Sequence, residues 1–434
     1  MRRTSGGCAG VGIVEPSTTD PAPSRRGPGA WWAGLAVCTG LRIASLSQRA
    51  GLGGGSIIGG RVTLAMHPGA LRKLAARRRV VLVSGTNGKT TTSHMVATAL
   101  ATRSAVAHNA SGSNMADGAV AALAAARDAP YAVLEVDELH LADIARRCSP
   151  TLIVLLNLTR DQLDRAAEVR RTAAIIGDLL AELPGTTVLA NADDPMVVWA
   201  AARSAGPRTW ITAGSCWSAD SLSCPQCGGP LAQRWSRWHC DCGLRRPTPD
   251  WWLHDGVAYS NDSATPLAPR LPGAVNAGNA LMALAAARHE QIEAEEASKA
   301  IGTLEQVAGR YATINHGRHT IRMLLAKNPA GWAATLSMLN NSRPLLITVN
   351  AREADGRDTS WLWDVDFDVL RGRPIAASGE RAADLGVRLS YAELDHHTDI
   401  DPVDALNQLP GGEVDVVANY TAFHSLRRRF ISQG

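Results

Sequence analysis

The chain has 434 residues, is 45% hydrophobic and 19% charged, and carries a formal net charge of +4. That apolar content supports a packed core and excludes wholesale disorder, while 44 basic against 40 acidic residues leave no surplus for a dedicated nucleic-acid binder. No apolar run reaches the ~18 residues of a membrane-spanning helix, and the length suits two or three domains.

Residues 1–40 read as a disordered tail, because the first thirty are rich in Ser, Thr, Pro, Gly and Arg without periodicity. Trp31 to Leu41 is apolar and follows Arg25 and Arg26, the order of a signal-peptide core. The spacing of Trp31, Leu35, Cys38 and Arg42 favours one amphipathic helix instead. Gly51 to Gly60 reads as a glycine-rich linker.

From Arg79 the pattern alternates. Val80 to Val83 predicts a short buried strand, and Thr90 to Thr102 a helix. Further strands are expected at 132–136, 151–156 and 187–190, with a helix over 166–183 and another over 276–288. Apolar strands alternating with helices predict a parallel sheet covered on both faces. Residues 41–313 are expected as this central domain, interrupted at 214–250 by a stretch of Cys, Pro and Trp. Residues 314–434 form a last, Rossmann-like α/β unit, with strands at 345–349, 375–378 and 414–418.

The first strand runs into Ser84-Gly85-Thr86-Asn87-Gly88-Lys89-Thr90-Thr91-Thr92 and then a helix. Glycines let backbone N–H groups approach phosphates, and the helix N-terminus favours their charge. Lys89 suits the outer phosphates, and the Thr90 hydroxyl suits Mg²⁺. The spacing is shorter than the general phosphate-loop pattern, since Val83 stands where the first glycine belongs.

Cys224-Pro-Gln-Cys227 and Cys240-Asp-Cys242 lie 12 residues apart. Two tight pairs bring four thiolates into a tetrahedron with little chain to order, a set that Zn²⁺ favours in a structural site. Disulfides or free thiols are the alternatives. Near the C-terminus, Ala354-Asp355-Gly356-Arg357-Asp358-Thr359-Ser360-Trp361 follows an expected strand, where α/β sheets place their sites. A solvated Asp-Gly turn is the plainer reading of that loop.

The loop Gly85-Thr-Asn-Gly-Lys89-Thr-Thr resembles the ATP loop of the Mur ligase family, whose members form amide bonds through acyl phosphates. Glu135 stands where that family keeps a Mg²⁺-binding carboxylate. Asn157-Leu-Thr-Arg-Asp161-Gln162-Leu-Asp164 and Asn191-Ala-Asp-Asp194-Pro195 resemble two further family motifs. Asn276 and Asn279 resemble its adenine-side asparagines, and Gly309-Arg310 the Gly-Arg before its last domain. The resemblance implies ATP contacts from Gly85, Thr86, Asn87, Gly88, Lys89, Thr90, Thr91, Asn276, Asn279 and Arg310, with Mg²⁺ on Thr90 and Glu135.

Two departures narrow the family. Too few structured residues are expected before the loop for a uridine-nucleotide domain, and Leu324-Leu-Ala-Lys327-Asn328-Pro329 replaces a family motif near the third domain. With Asp355-Gly-Arg-Asp358-Thr-Ser-Trp361 and the inserted cysteine ribbon, the chain resembles the MurT branch over about residues 50–430. That branch supplies the ligase subunits of lipid II isoglutaminyl synthases. It implies a GatD-type glutaminase partner and a lipid II substrate, met at the inner face of the plasma membrane. The implied reaction amidates the α-carboxyl of stem-peptide D-glutamate to D-isoglutamine. Asp358 would be lent to the partner's Cys–His pair. A glutaminase cysteine within this chain is not expected, since Gly6-Gly-Cys8-Ala-Gly10 follows no strand. Two other readings stay open at this point: an amino-acid ligase of the folylpolyglutamate type, and a non-catalytic zinc-ribbon scaffold.

Overall fold

Two sheets flanked by helices organise the chain in the computed structural model, which describes residues 28–49, 56–110, 112–160, 169–212, 222–234, 237–305, 311–340 and 342–432. The central strands are β1 (Arg79–Ser84), β2 (Val106–His108), β3 (Tyr131–Glu135), β4 (Leu152–Leu155), β5 (Thr187–Asn191) and β6 (Arg208–Thr212). A hairpin, β7 (Ala232–Arg234) and β8 (Arg237–His239), stands apart. Three strands then extend the central sheet: β9 (Trp251–His254), β10 (Val257–Ser260) and β11 (Ala264–Pro266). Its order is β11-β10-β9-β6-β5-β4-β1-β3-β2, parallel except where β10 meets its two neighbours.

Alternation along each strand builds the two faces. Val80 and Leu82 enter one core, Val81 and Val83 the other, and all four are fully buried. A strand buried on both sides needs helices on both sides, as expected from the sequence. The strand order reverses at β1, which lies between β3 and β4. In open α/β sheets the crevice beyond the carboxyl ends at such a point takes the ligand.

The second sheet comprises β12 (Tyr311–His316), β13 (His319–Leu325), β14 (Leu345–Thr348), β15 (Ile375–Ser378), β16 (His396–Thr398) and β17 (Gly412–Ala418). Its order is β12-β13-β17-β14-β15-β16, and only β12–β13 is antiparallel. The cysteine ribbon around β7 and β8 packs Leu231 and Trp238 against Val198 and Trp210 of the central unit.

The N-terminal segment departs from expectation. A helix covers Pro28–Arg49, so residues 28–40 are helical, not part of a disordered tail. A second helix, Ser56–Met66, occupies much of the expected glycine linker; residues 1–27 and 50–55 lie outside the described residues. Close packing is the physical reason. A Cβ at Gly40 would stand 2.5 Å from the Gly59 carbonyl oxygen, and one at Gly60 would stand 2.0 Å from that of Asp117. Here glycine lets backbones touch, and that contact offsets its helix penalty of about 1 kcal/mol. The expected helix over 166–183 is present as Val169–Ala181, and that over 276–288 as Ala274–His289.

Candidate active site

The loop after β1 is shaped by two left-handed glycines, Gly85 (φ +137°) and Gly88 (φ +86°). A Cβ at Gly85 would lie 2.8 Å from the Asn157 carbonyl oxygen, and one at Gly88 would lie 2.7 Å from Asn279 Oδ1. Asn157 follows β4 and Asn279 sits on the helix Ala274–His289, so both expected partners touch the loop. The segment after β4 holds it in register. Thr86 N–H donates to the Asn157 carbonyl (2.8 Å), Asn87 N–H to Asn157 Oδ1 (2.9 Å), and Asn157 Nδ2 back to the Asn87 carbonyl (2.9 Å). Thr86 Oγ1 accepts from Thr159 N–H at 3.1 Å.

Lys89 begins the helix Lys89–Ala101 and is buried. Its Nζ donates to the carbonyls of Gly85 and Thr86 and to Glu138 Oε2 at 3.0 Å. Burial works against the ammonium, but Glu138, with Asp137 and Glu135 behind it, more than offsets this and raises its pKa. Burial likewise pushes Glu138 up, yet Lys89 and a Thr86 hydrogen bond hold its carboxyl below the usual range. Sequence reasoning missed Glu138. The available signal was the run Glu135-Val136-Asp137-Glu138 just past a strand beside the phosphate loop.

Glu135 ends β3 in register with Val83, and is 3% exposed. Its backbone exchanges hydrogen bonds with the Asn109 side chain, both at 2.8 Å. Its Oε2 is buried with no hydrogen-bond partner. A buried carboxylate oxygen left without a donor is costly, and a hard cation relieves it. With the hydroxyl of Thr90, on the helix that Lys89 begins, such an oxygen makes a donor set of the kind Mg²⁺ takes. Two histidines lie behind it: His108 Nε2 is 3.1 Å from Ser93 Oγ, and burial, with His94 beside it, pushes its pKa down to about 3. His108 is therefore a neutral hydrogen-bonding partner.

The cleft beyond the loop is formed by both units. Asn87, Leu271, Asn276 and Asn279 line one side, and Tyr311, Leu324 and Lys327 line the other. Asn276 Nδ2 donates to the Pro272 carbonyl at 2.7 Å. Asn191, Asp193 and Asp194 line a neighbouring pocket that shares Asn87 with the cleft. Asp194 accepts from Leu158 N–H (2.8 Å) and caps the helix Pro195–Ala201, while Asp193 pairs with Arg246 at 2.7 Å. Asn328 caps the helix Pro329–Leu336. Asp161, Gln162 and Asp164 of the motif after β4, and Arg310 with its expected nucleotide contact, lie outside the described residues.

The loop after β14 divides its two aspartates. Asp355 is buried and accepts from Thr421 N–H at 2.8 Å and from the Thr421 hydroxyl, so it anchors the loop. Asp358 is exposed; its Oδ1 accepts from Ser360 N–H at 2.8 Å, and that bond, with the Ser360 side chain, lowers its pKa. Asp364 lies 3.6 Å from Arg160 of the central unit.

The four expected cysteines converge. Their sulfurs all lie within 4.8 Å of one another, with Cys224–Cys242 at 3.6 Å and Cys227–Cys240 at 3.4 Å. A tetrahedral ion with Zn–S bonds of ~2.3 Å needs sulfurs about 3.8 Å apart, so the cluster could hold one. Gly228 (φ +79°) and Gly243 (φ +95°) turn the two knuckles, donating to the carbonyls of Cys224 and Cys240.

Two family models match, the MurT ligase C-terminal model over residues 325–423 and the Mur ligase middle domain over residues 83–223. The chain is 31% identical to the lipid II isoglutaminyl synthase (glutamine-hydrolyzing) subunit MurT of Staphylococcus aureus over 82% of this chain and 88% of that protein. It is 30% identical to the subunit of that name in Streptococcus pneumoniae, over 78% and 82%. Among solved structures, a pseudomurein peptide ligase type C from Methanothermus fervidus shares the fold, with a TM-score of 0.64 and 18% identity over 84% of this chain and 80% of that one.

Proposed function

The chain belongs to the MurT family of Mur ligase-like proteins, and from that premise we propose that it is the ATP-dependent amidating subunit of a lipid II isoglutaminyl synthase. The observation that carries the reading is the buried, partnerless Glu135 oxygen beside a loop whose lysine is neutralised by Glu138. That is a site built for a cation and a polyanion together.

Thr90 and Glu135 would hold Mg²⁺, which when bound would supply charge neutralisation at the phosphates. Lys89 leaves Glu138 and meets the outer phosphates, while the loop N–H groups and the helix terminus orient them. The α-carboxylate of stem-peptide D-glutamate attacks the terminal phosphoryl group, giving an acyl phosphate and ADP. Ammonia then displaces phosphate and leaves the isoglutamine amide. Asn276 and Asn279 face the adenine side, and Arg310 completes the nucleotide contacts.

Ammonia comes from a GatD-type glutaminase. The exposed, ionised Asp358 completes that partner's Cys–His pair by fixing the histidine tautomer and stabilising the imidazolium. The cysteine cluster holds a structural Zn²⁺. The substrate places the complex at the cytoplasmic face of the membrane; no helix among the described residues is long and apolar enough to cross it.

The test supplies the purified chain and its glutaminase with lipid II and ATP, and offers glutamine, ammonium or free amino acids. Amide formation from glutamine and from ammonium, with ADP released, is the expected result. Consumption of an amino acid in their place would replace this reading with a peptide-extending ligase.

A further inference from the structure

The N-terminal helix pair carries a surface that the cleft does not use. The two helices, Pro28–Arg49 and Ser56–Met66, have no Asp or Glu and three arginines, Arg42, Arg49 and Arg61. On this pair Leu35, Leu46, Ile57, Ile58 and Met66 are exposed, Leu46 by 62%. Arg42, Arg49 and Arg61 are exposed among them. Leu35, Arg42, Leu46 and Arg49 recur at helical spacing and so share one side of their helix. Leucine and arginine therefore interleave along a stripe, unlike the apolar core and polar rim of a protein–protein interface.

The helix pair connects to the segment that carries Glu138. Arg61 pairs with Asp117 at 3.1 Å, at the start of the helix Ala116–Ala125. The Asp137 N–H donates to the Asn114 carbonyl at 2.9 Å, joining that helix to the loop that carries Glu138. Met115 and Leu139, exposed by 45% and 54%, lie on these two loops. Two acidic groups near the region face arginines, Asp117 paired with Arg61 and Asp128 near the charge of Arg78, while Asp137 beside Leu139 accepts that residue's N–H.

We propose that this face docks the protein on an anionic phospholipid bilayer, with the apolar side chains in the headgroup boundary and the arginines on lipid phosphates. In purpose it rests on the lipid-linked substrate proposed above, which the same leaflet presents. Each basic residue close to an anionic leaflet strengthens binding about fivefold, and the exposed leucines and isoleucines supply the rest.

The experiment sediments the full chain with vesicles of phosphatidylglycerol and phosphatidylcholine, or of phosphatidylcholine alone, both free of peptidoglycan precursor. Binding to the anionic vesicles, weakened by salt and much poorer on the neutral ones, is expected. Arg42→Gln/Arg49→Gln and Leu46→Glu/Ile58→Glu should each lower partitioning about tenfold or more, with ADP binding unchanged as a check of folding. Failure of the wild-type chain to bind anionic vesicles overturns the proposal, as does unaltered binding by both variants. A dimer in sedimentation velocity that Leu46→Glu/Ile58→Glu dissolves would assign the face to a second copy instead. Because no substrate is present, loss of vesicle binding leaves the ligase reading standing, and absence of amidation with binding intact would overturn only that reading.

Discussion

Replacing Lys89 by methionine should cost the fold as well as the chemistry, and in a pH-dependent way. Lys89 and Glu138 are paired at 3.0 Å with side chains only 7% and 11% exposed. Removing one member of such a buried pair costs about 3–5 kcal/mol. The Thr86 hydrogen bond to Glu138 remains, which puts Lys89→Met at about 3 kcal/mol, the low end. The pH window follows from the directions of the two shifts. Glu138 is depressed, so its contribution is present above the unfolded carboxyl value of about 4.3 and is lost as pH falls through the folded one. Lys89 is raised, so its contribution is present below about 10.4 and is lost as pH rises through the folded value. Without Lys89, burial is the largest influence left on Glu138 and pushes it up, with the Thr86 hydrogen bond opposing it only in part. The deficit of Lys89→Met against wild type should therefore be full at neutral pH and shrink on acidification. Urea unfolding followed by circular dichroism, at several pH values from neutral down to about 4.3, reads this directly. Lys89→Met/Glu138→Gln removes both charges and should recover most of the loss, a coupling of about 2 kcal/mol. A deficit that grows on acidification, or a double variant no more stable than the single, would refute the reasoning.

Glu135→Gln should weaken magnesium-dependent ADP binding about tenfold yet raise the unfolding midpoint slightly, because a charge without a donor is no longer buried; isothermal titration and thermal melts check the two halves, and a lower midpoint would contradict the orphaned-oxygen account. Cys224→Ser/Cys240→Ser should take zinc from about one equivalent to background and lower ribbon stability with it, so full occupancy measured by metal analysis would remove the ribbon assignment. Asp358→Asn, on an exposed loop, should abolish glutamine-dependent amidation while sparing the ammonium-dependent reaction. If both are lost, the residue belongs to the ligase site.

Sequence legibility tracked how locally each feature is encoded. β1, β3, β4 and β5 are doubly buried apolar runs and could be read one by one, as could the glycine loop and the paired cysteines. β2 is three residues long at a sheet edge, and β9 to β11 are short, half-exposed strands of mixed composition. Nothing in their local pattern distinguishes them from loop, and only pairing with the sheet makes them strands. Gly59 and Gly60 misled because the composition of a linker and the close contact of two helices ask for the same residue. Glu138 was overlooked for a related reason, since its acidic run alone does not say which carboxylate matters. Its role depends on Lys89, 49 positions away, and only the β1–β3 register brings the two together. Asp355 and Asp358 look equivalent in sequence, and only the Thr421 contacts separate the anchor from the exposed carboxylate.

The cysteine ribbon is coupled to the pocket beside the cleft through one arginine. Cys227 and Cys242 are exposed while Cys224 and Cys240 are buried, so an oxidant or electrophile meets the outer two sulfurs first. Arg246, held in the ribbon by its N–H to the Trp238 carbonyl at 3.0 Å, reaches Asp193 with side chains 11% and 3% exposed. Asp193 also receives the Thr212 hydroxyl and lines the pocket that Asn87 and Asn157 share. Were the ribbon to unravel, Arg246 would leave, and Asp193 would keep the Thr212 hydroxyl but lose its paired cation. The two outer sulfurs thus stand to that pocket as a fuse stands to a circuit: damage to them would be felt as altered electrostatics beside the phosphate loop.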